Sequence, residues 1–310
     1  MPLSPNPETF GIKSVVVNMS NCCAVLTTFN PDEGLSVRID RIIKQVNEVV
    51  IIDNHSNELA LRKLIDTASK KDIHFIYNKA NLGIASALNQ GIRWAKEKNY
   101  RYVVILDQDS VIDDDIVQRL YESYERLSGK ERIAIIGSNY IDPVSKRALL
   151  EVRFHDKQPF IEVKTIMTSG SFMSLVAFQE IGPFRDEFFV DFVDIEYCLR
   201  ARAKGFKIML LTKPVMQHSI GAVTTHRLLW RDTGSSNHSP IRRYYMARNH
   251  VVLAKEYLFI DPAWTVQSLY SRLKSIILMC LLENNKLLKM EYTALGIVDG
   301  LRSNFNRILA

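Results

Sequence analysis

Cysteine is scarce in this chain of 310 residues, and its four copies form no functional pattern. Cys22 and Cys23 are adjacent, whereas Cys198 and Cys280 lie far apart, which fits neither a disulfide framework nor the paired spacing of a zinc site. No apolar run reaches the roughly 20 residues that a membrane-spanning helix requires. The first 20 residues lack the basic and apolar segments of a secretory signal. These absences predict a cytoplasmic protein with reduced thiols and no transmembrane helix.

Nucleic-acid motifs are also missing, and most of the positive charge is concentrated near the C-terminus. The net charge is +6, and residues 241–310 contain ten Lys or Arg against five Asp or Glu. Basic runs interleaved with aromatic residues, which mark nucleic-acid binders, do not occur, so we expect no nucleic-acid partner. Basic charge on apolar helices is typical of contact with an anionic membrane surface or with a phosphate-rich substrate.

Short apolar strands alternate with amphipathic helices over the first half of the chain. The predicted strands are 22–29, 48–53, 74–77, 102–107 and 133–136, and the helices between the first four are 35–45, 59–70 and 84–98. This alternation predicts βαβ units and a mainly parallel sheet. Further on, the pattern predicts helices 113–128 and 194–204 and strands 148–154, 164–174, 207–211 and 215–218. After Pro240 it predicts helices 242–258, 264–282 and 286–301.

The change of pattern near Pro240 also suggests how the chain is divided. We predict a loose leader over residues 1–20, an α/β domain over residues 21–239 and a helical extension over residues 240–310.

The segment Asp107-Gln108-Asp109 closes one of the predicted strands. Side chains two residues apart on a strand share a face, so both carboxylates project into the space beyond its C-terminal end. Open α/β sheets bind ligands at that edge. Two oxygen donors there suit Mg²⁺ or Mn²⁺, completed by substrate phosphates. Taken alone, so short a motif is more often the start of an acidic loop.

Five segments in a specific order connect this motif to a known family. They are Ala24–Pro31, Val49–Asn54, Asn81–Gly91, Ile105–Ser110 and Phe188–Arg200. With them the chain resembles glycosyltransferase family 2, the inverting enzymes of GT-A fold, and within it the bacterial rhamnosyltransferases. The resemblance implies a nucleotide-diphospho-sugar transferase fold, with a Rossmann-like, mainly parallel sheet and C-terminal helices.

The resemblance also implies a nucleotide site at the strand ends. Thr27, Thr28 and Phe29 are expected to hold the base and ribose. Asp53 is expected to accept a hydrogen bond from a pyrimidine N3–H, unless it only caps the following turn. Asn81 and Gly83 are expected to open a helix whose N–H groups face phosphate, although close packing would also explain Gly83.

A metal site and a base complete the implied chemistry. Asp109 matches the direct metal ligand, Asp107 matches a ligand of the ribose or of a metal-bound water, and His218 can complete the metal shell or be structural. Inverting transfer needs a general base, which in this family is the Asp of a Glu-Asp pair. Here the Glu is replaced by valine, so Asp194 is the first candidate and Asp191 its rival. A helix N-cap is the other explanation for Asp194.

Two further groups match segments of the family. Ser169, Gly170 and Ser171 resemble the segment between donor and acceptor pockets. Arg243 and Arg248 are expected to clamp diphosphate oxygens, because guanidinium groups match phosphate geometry, or else to lie on a solvated helix face.

Together these residues predict transfer of L-rhamnose from dTDP-L-rhamnose to a lipid-linked bacterial polysaccharide such as an O-antigen. The C-terminal helices are expected to contact the inner face of the plasma membrane or a second copy of the chain. A nucleotidyltransferase is a rival, but the first strand lacks the Gly-rich, basic loop that it would need. A non-catalytic sugar-binding protein is another rival, and it would not need Asp107, Asp109 and Asp194.

Overall fold

A computed structural model describes residues 21–69, 73–143, 146, 148–149, 159–218, 224–228, 231–235 and 237–309. The predicted leader 1–20 and most of the predicted strand 148–154 lie outside these residues. In the described part of the chain, no helix has both the length and the apolar character needed to cross a membrane.

Strands and helices alternate as expected in the first half of the chain. The strands are β1 (Cys22–Thr28), β2 (Glu48–Asp53), β3 (Ile73–Tyr77), β4 (Tyr102–Asp107), β5 (Val111–Ile112), β6 (Ile133–Ile141), β7 (Phe160–Val163), β8 (Ser171–Ser174), β9 (Lys207–Gln217), β10 (Thr224–Leu228) and β11 (Arg231–Ser235). The helices are α1 (Leu35–Ile43), α2 (Glu58–Ser69), α3 (Gly83–Glu97), α4 (Ile116–Ser128), α5 (Leu175–Ile181), α6 (Val193–Ala203), α7 (Pro240–Tyr257), α8 (Pro262–Leu282) and α9 (Lys286–Leu301).

One large mixed sheet organises the described residues. Its strand order is β3-β2-β1-β4-β8-β6-β9-β5, and β7 pairs with β9. The first four strands in this order are parallel, as the βαβ pattern predicted. Beyond β4 the sheet is mixed, because β8 runs antiparallel to both β4 and β6, whereas β6 and β9 are parallel. Strands β10 and β11 form a separate antiparallel hairpin.

The centre of the sheet is apolar on both faces, and β1 shows why. Cys23 and Val25 pack into one core with α3, whereas Ala24 and Leu26 pack into the other with α1 and α4. Each apolar side chain that is fully buried contributes on the order of 1.5–3 kcal/mol. Gly91 on α3 lets the helix approach β1, because a Cβ there would meet Val25 at 2.5 Å. The four cysteines are free thiols, as expected.

Two predicted strands differ from the structure. The predicted strand 164–174 begins too early, since residues 164–170 form an irregular segment before β8. The predicted strands 207–211 and 215–218 are one strand, β9, which continues through Pro214. Pro214 is tolerated because its pairing with β6 is irregular at that point.

Buried charges connect the C-terminal helices to one another. The Glu283 carboxylate accepts hydrogen bonds from Arg243 Nη2 at 2.5 Å, Ser235 Oγ at 2.5 Å and Lys289 Nζ at 2.9 Å. These contacts join α7, the β10–β11 hairpin and α9 at the end of α8. A domain boundary at residue 240 stays a prediction.

Candidate functional site

Parallel pairing gathers the predicted site residues at one edge of the sheet. In the register of β1, Thr28 lies opposite Asp53 on β2 and Thr27 lies opposite Asp107 on β4. A cavity of about 450 Å³ opens at this edge. Predicted residues that line it are Thr27, Thr28, Phe29, Asn81, Gly83, Asp107 and Asp109. A larger cavity of about 840 Å³, between α3, α5 and α7, contains none of the predicted residues.

Asp107 and Asp109 line this cavity, and the third predicted metal ligand, His218, lies beside them. One ligand atom from each of Asp107, Asp109 and His218 lies within 4.8 Å of the other two. His218 Nδ1 is 3.5 Å from Asp109 Oδ1. Two carboxylates and an imidazole are a donor set that a divalent cation accepts, with the remaining positions open to phosphate and water. The geometry therefore fits the predicted metal site.

Buried serines hold this cluster in place. Ser169 Oγ accepts a hydrogen bond from the Asp107 backbone N–H at 3.0 Å and lies 2.7 Å from Ser110 Oγ. Ser110 Oγ in turn lies 3.1 Å from His218 Nδ1. The side chains of Ser110, Ser169 and His218 are buried. This chain of contacts fixes the histidine ring and the strand end as outer-shell partners do in metal sites.

Burial and mutual repulsion disfavour the ionised form of Asp107, so a bound cation would stabilise the acidic pair. The pKa of Asp107 is raised to about 7 by its burial, then by the charges of Asp109 and Asp194. Burial lowers the pKa of His218, and the opposing effect of Asp109 is smaller. A neutral imidazole beside carboxylates that repel each other suits cation binding, since a cation relieves that repulsion.

Asp53, the predicted partner of the nucleobase, does not line this cavity. Asp53 is fully buried, and its oxygens accept hydrogen bonds from Thr28 Oγ1 at 2.9 Å, Ser56 Oγ at 2.5 Å and Ser56 N–H at 2.9 Å. These donors occupy three of the roughly four acceptor sites of the carboxylate. The contacts match the alternative explanation, in which Asp53 orders the turn after β2.

The backbone N–H groups at the start of α3 also bond to protein groups. Asn81 Oδ1 accepts a hydrogen bond from the Gly83 N–H at 3.0 Å, and the Ile84 N–H donates to the Phe189 carbonyl at 2.7 Å. Gly83 has φ +83°, and a Cβ there would lie 2.5 Å from the Phe189 oxygen. Gly83 is therefore required for a close backbone approach, and these two N–H groups are not free for phosphate.

A second cavity of about 290 Å³ adjoins the first and contains both candidate bases. Ile84, Thr168 and Val190 line both cavities. Among the residues expected to bridge the pockets, Ser169, Gly170 and Ser171 are buried and line neither cavity. Thr168, the residue before them, lines both cavities instead. Gly170 serves packing instead, because a Cβ there would lie 2.3 Å from Met216 Sδ.

The two candidate bases differ in how they are paired. Arg242 donates to both carboxylate oxygens of Asp191, with Nε–Oδ2 and Nη2–Oδ1 distances of 2.9 Å. Asp194 lies in the first turn of α6 rather than at its N-cap, and accepts a hydrogen bond from the N–H of Ile195 at 2.8 Å. Burial raises the pKa of Asp194 to about 6. A carboxylate with this pKa and no cation on it is the better proton acceptor.

The expected phosphate clamp has another function in the structure. Arg243 is buried against Glu283, and the Nη2 atom of buried Arg248 donates to the Glu187 carbonyl at 2.6 Å. Neither guanidinium lines the two cavities. Because both guanidinium groups are buried away from these cavities, the structure contradicts the assignment of Arg243 and Arg248 to diphosphate oxygens. Arg242 and Arg272 line the second cavity instead.

Several site residues were missed from sequence. Arg272 comes from α8, far along the chain, and its guanidinium packs 5.3 Å from the Phe192 ring with no carboxylate partner among the described residues. Gln108 faces away from the acidic pair and bonds both backbone groups of Phe29. Only Gln108 had a sequence signal, since it lies inside the acidic motif.

Comparisons with known proteins agree with this geometry. The model for the family described as Glycosyl transferase family 2 matches residues 23–181. The dTDP-rhamnosyl transferase RfbF of Shigella flexneri is 30% identical over 291 residues, covering 91% of this chain and 96% of that protein. The chain belongs to glycosyltransferase family 2. The glycosyltransferase Agl10 of Haloferax volcanii, a hexosyltransferase of low-salt glycan biosynthesis, is 26% identical over 59% of this chain and 62% of its own length.

Solved structures of the same fold are more distant in sequence. S. aureus TarS 1-349 in complex with UDP-GlcNAc has a TM-score of 0.57 at 15% identity, covering 91% of this chain and 81% of that chain. GalNAc-T7 with UDP, GalNAc and Mn²⁺ has a TM-score of 0.58 at 14% identity, covering 94% and 59%. These likenesses show the fold, so the predicted GT-A class is confirmed. As a family 2 glycosyltransferase, the protein is not the rival nucleotidyltransferase.

Cation binding at this site can be measured without any substrate. We expect Mn²⁺ to bind the purified protein, and Asp109→Asn or His218→Gln to weaken that binding at least about tenfold, as even outer-shell changes do in metal sites. Asp114→Asn is the matched control, because Asp114 is an exposed carboxylate outside the cluster. Electron paramagnetic resonance of free Mn²⁺ gives the affinities. Equal affinity in all four proteins would contradict the site.

Proposed function

We propose that this glycosyltransferase moves L-rhamnose from dTDP-L-rhamnose to a lipid-linked bacterial surface glycan with inversion at the anomeric carbon. The observation that carries the proposal is the pair of adjoining cavities, one lined by Asp107 and Asp109 with His218 beside them and the other lined by Asp194. The similarity to a dTDP-rhamnosyl transferase over nearly the whole chain supports the choice of donor.

The donor is expected in the cavity of about 450 Å³ at the sheet edge, the donor cavity. Thr27, Thr28 and Phe29 surround the nucleoside, with Phe29 offering a half-exposed ring. Asp109, Asp107 and His218 would hold Mg²⁺ or Mn²⁺, which supplies Lewis-acid stabilisation to a departing diphosphate. The sugar then lies toward Thr168 and Val190, where the two cavities meet.

Asp194 lines the cavity of about 290 Å³, the acceptor cavity, and its position there suggests how transfer proceeds. The acceptor hydroxyl oxygen forms a bond to the anomeric carbon, while the bond from that carbon to the diphosphate oxygen breaks. The Asp194 carboxylate takes the proton of the hydroxyl, and dTDP leaves with the electron pair. Arg242 keeps Asp191 ion-paired, and the free Arg272 guanidinium gives the cavity a cation for an anionic group on the acceptor.

The donor and the metal requirement are tested with a panel of nucleotide sugars. We expect dTDP-L-rhamnose to be turned over in preference to UDP-GlcNAc and to UDP- and GDP-hexoses. EDTA should abolish the reaction, and added Mg²⁺ or Mn²⁺ should restore it. Release of the nucleoside diphosphate is measured by chromatography, with and without acceptor. Preference for another nucleotide sugar would contradict the choice of donor, and full activity in EDTA would contradict the metal.

The base is tested by replacing each carboxyl group with its amide. Asp194→Asn keeps the shape but cannot accept a proton, so we expect kcat to fall at least about 10²-fold with dTDP affinity unchanged. Asp191→Asn should cost less, because Asp191 is already paired with Arg242. In the unmodified enzyme kcat should fall as the pH drops through about 6, since the protonated acid is inactive. The opposite order of the two variants would exchange their roles.

We also propose that α8 brings the enzyme to an anionic membrane surface. An apolar stripe on this helix is mostly exposed: Val266, Leu269, Tyr270, Leu273, Ile277 and Leu281 face solvent, whereas Trp264 is buried. Phe259 and Ile260, just before α8, are exposed as well. Lys274 on the same helix is exposed, and each basic residue near the surface adds about 1 kcal/mol of attraction to anionic lipid.

Vesicle sedimentation tests this surface. We expect binding to phosphatidylglycerol vesicles at low salt, weaker binding at high salt and little binding to phosphatidylcholine. The double variant Tyr270→Ser with Leu273→Ser should bind several-fold less, whereas Val176→Ser, an exposed apolar residue on α5, should change nothing. Absence of binding at low salt would contradict the membrane surface. Concentration-dependent dimers in light scattering would then assign the stripe to a second copy of the chain.

A further inference from the structure

The turn between residues 188 and 192 forms the wall shared by the two cavities. Phe189 and Val190 line the donor cavity, and Val190, Asp191 and Phe192 line the acceptor cavity. The turn leads directly into α6, whose first turn carries Asp194. Its conformation therefore sets where the base lies relative to the donor sugar.

The backbone of this turn is strained. Phe189, Asp191 and Phe192 have φ of 58°, 60° and 65°, in the left-handed region that residues with a Cβ seldom adopt. Three such residues among four are retained only where surrounding contacts impose them. The contacts that impose this conformation come from two helices on opposite sides of the turn.

Helix α7 supplies most of these contacts through Asn249. Its side-chain Nδ2 lies 2.8 Å from the Phe188 carbonyl oxygen, 2.9 Å from that of Val190 and 2.9 Å from that of Asp191. Its Oδ1 accepts a hydrogen bond from Arg248 Nε at 3.0 Å. Asn249 is fully buried. One side-chain amide thus contacts three backbone carbonyl oxygens of the turn.

Other contacts fix the turn from outside. On the same face of α7, Tyr245 stacks on the Phe189 ring at 4.9 Å and Arg242 pairs with Asp191. From α3, the Ile84 N–H holds the Phe189 carbonyl, at the place where Gly83 leaves room for it. Asn249 differs from these groups because it bonds the backbone on both sides of Val190, which faces both cavities.

We propose that Asn249 is a positioning residue for sugar transfer, which holds the strained turn 188–192 so that Asp194 faces the donor sugar. The inference rests on the proposed function. Asn249 touches neither substrate, and its effect passes through the turn. Loss of its N–H donors lets the carbonyls separate and the turn relax toward ordinary backbone angles, which moves the start of α6.

The test compares variants that keep the volume of the side chain but remove its donors. In Asn249→Leu the donors are lost, and in Asn249→Asp a carboxylate faces three carbonyl oxygens. Tyr244→Phe is the matched control, because Tyr244 lies buried on the same helix and bonds Asp299 at 2.9 Å, away from the turn. Release of dTDP from dTDP-L-rhamnose, with water as the acceptor, gives kcat, and calorimetry gives the Kd of dTDP.

We expect kcat to fall at least about tenfold in both Asn249 variants, with the Kd of dTDP within about twofold of the unmodified value. The Tyr244→Phe control should keep its kcat, even if its unfolding midpoint drops as far as theirs. If Asn249→Leu does not fold, Asn249→Ser, which keeps one donor, should fold and lose part of kcat. Nucleotide binding serves as the check of folding in each variant.

Two results would overturn the inference alone: unchanged kcat in the folded Asn249 variants, or an equal loss in Tyr244→Phe, which would indicate general loosening of α7. Failure of the unmodified protein to turn over any nucleotide sugar would overturn the proposed function, and this inference with it. The unmodified protein therefore distinguishes the two failures before any variant is compared.

Discussion

The parallel pairing of β1 with β2 and β4 is the constraint on which the site depends. It aligns three strand ends, so that Thr27, Asp53 and Asp107 occupy neighbouring positions although 80 residues of sequence separate the first from the last. Two apolar cores fix the register, because a slip by one residue would turn every buried side chain of β1 to the other face. The same strand pairing therefore contributes to stability and sets the geometry of the site.

The first half of the fold was predictable because its signals are local. Bounds of β2 and β4 agree with the prediction to the residue, since each is a short apolar run followed by polar residues. The antiparallel direction of β8 was not predictable, because it is set by pairing with the neighbouring strands β4 and β6 rather than by the residues of Ser171–Ser174. Pro214 split β9 in the prediction for a related reason: its irregular pairing with β6 is a tertiary property.

In the site, carboxylates were easier to place than cations. Asp107 and Asp109 follow a strand, so their direction is given by the period of the backbone. On α7, by contrast, Arg242, Arg243 and Arg248 differ only in the helix face that they occupy, and the sequence does not show which face α8 and α9 cover. Packing buries Arg243 and Arg248 and leaves Arg242 at the cavity. Asp53 is a similar case, since its three donors become visible only when the turn is folded.

Gln108 shows what the middle position of the acidic motif requires. Its Oε1 accepts from the Phe29 N–H at 2.7 Å, and its Nε2 donates to the Phe29 carbonyl at 3.1 Å. The side-chain amide thus imitates a peptide group and continues the pairing of β1 with β4 one residue past the end of the backbone ladder. A glutamate there could not donate and would add a third negative charge, a lysine could not accept, and an asparagine would be one methylene too short. Chemistry on one face of the motif and strand pairing on the other thereby restrict all three of its positions.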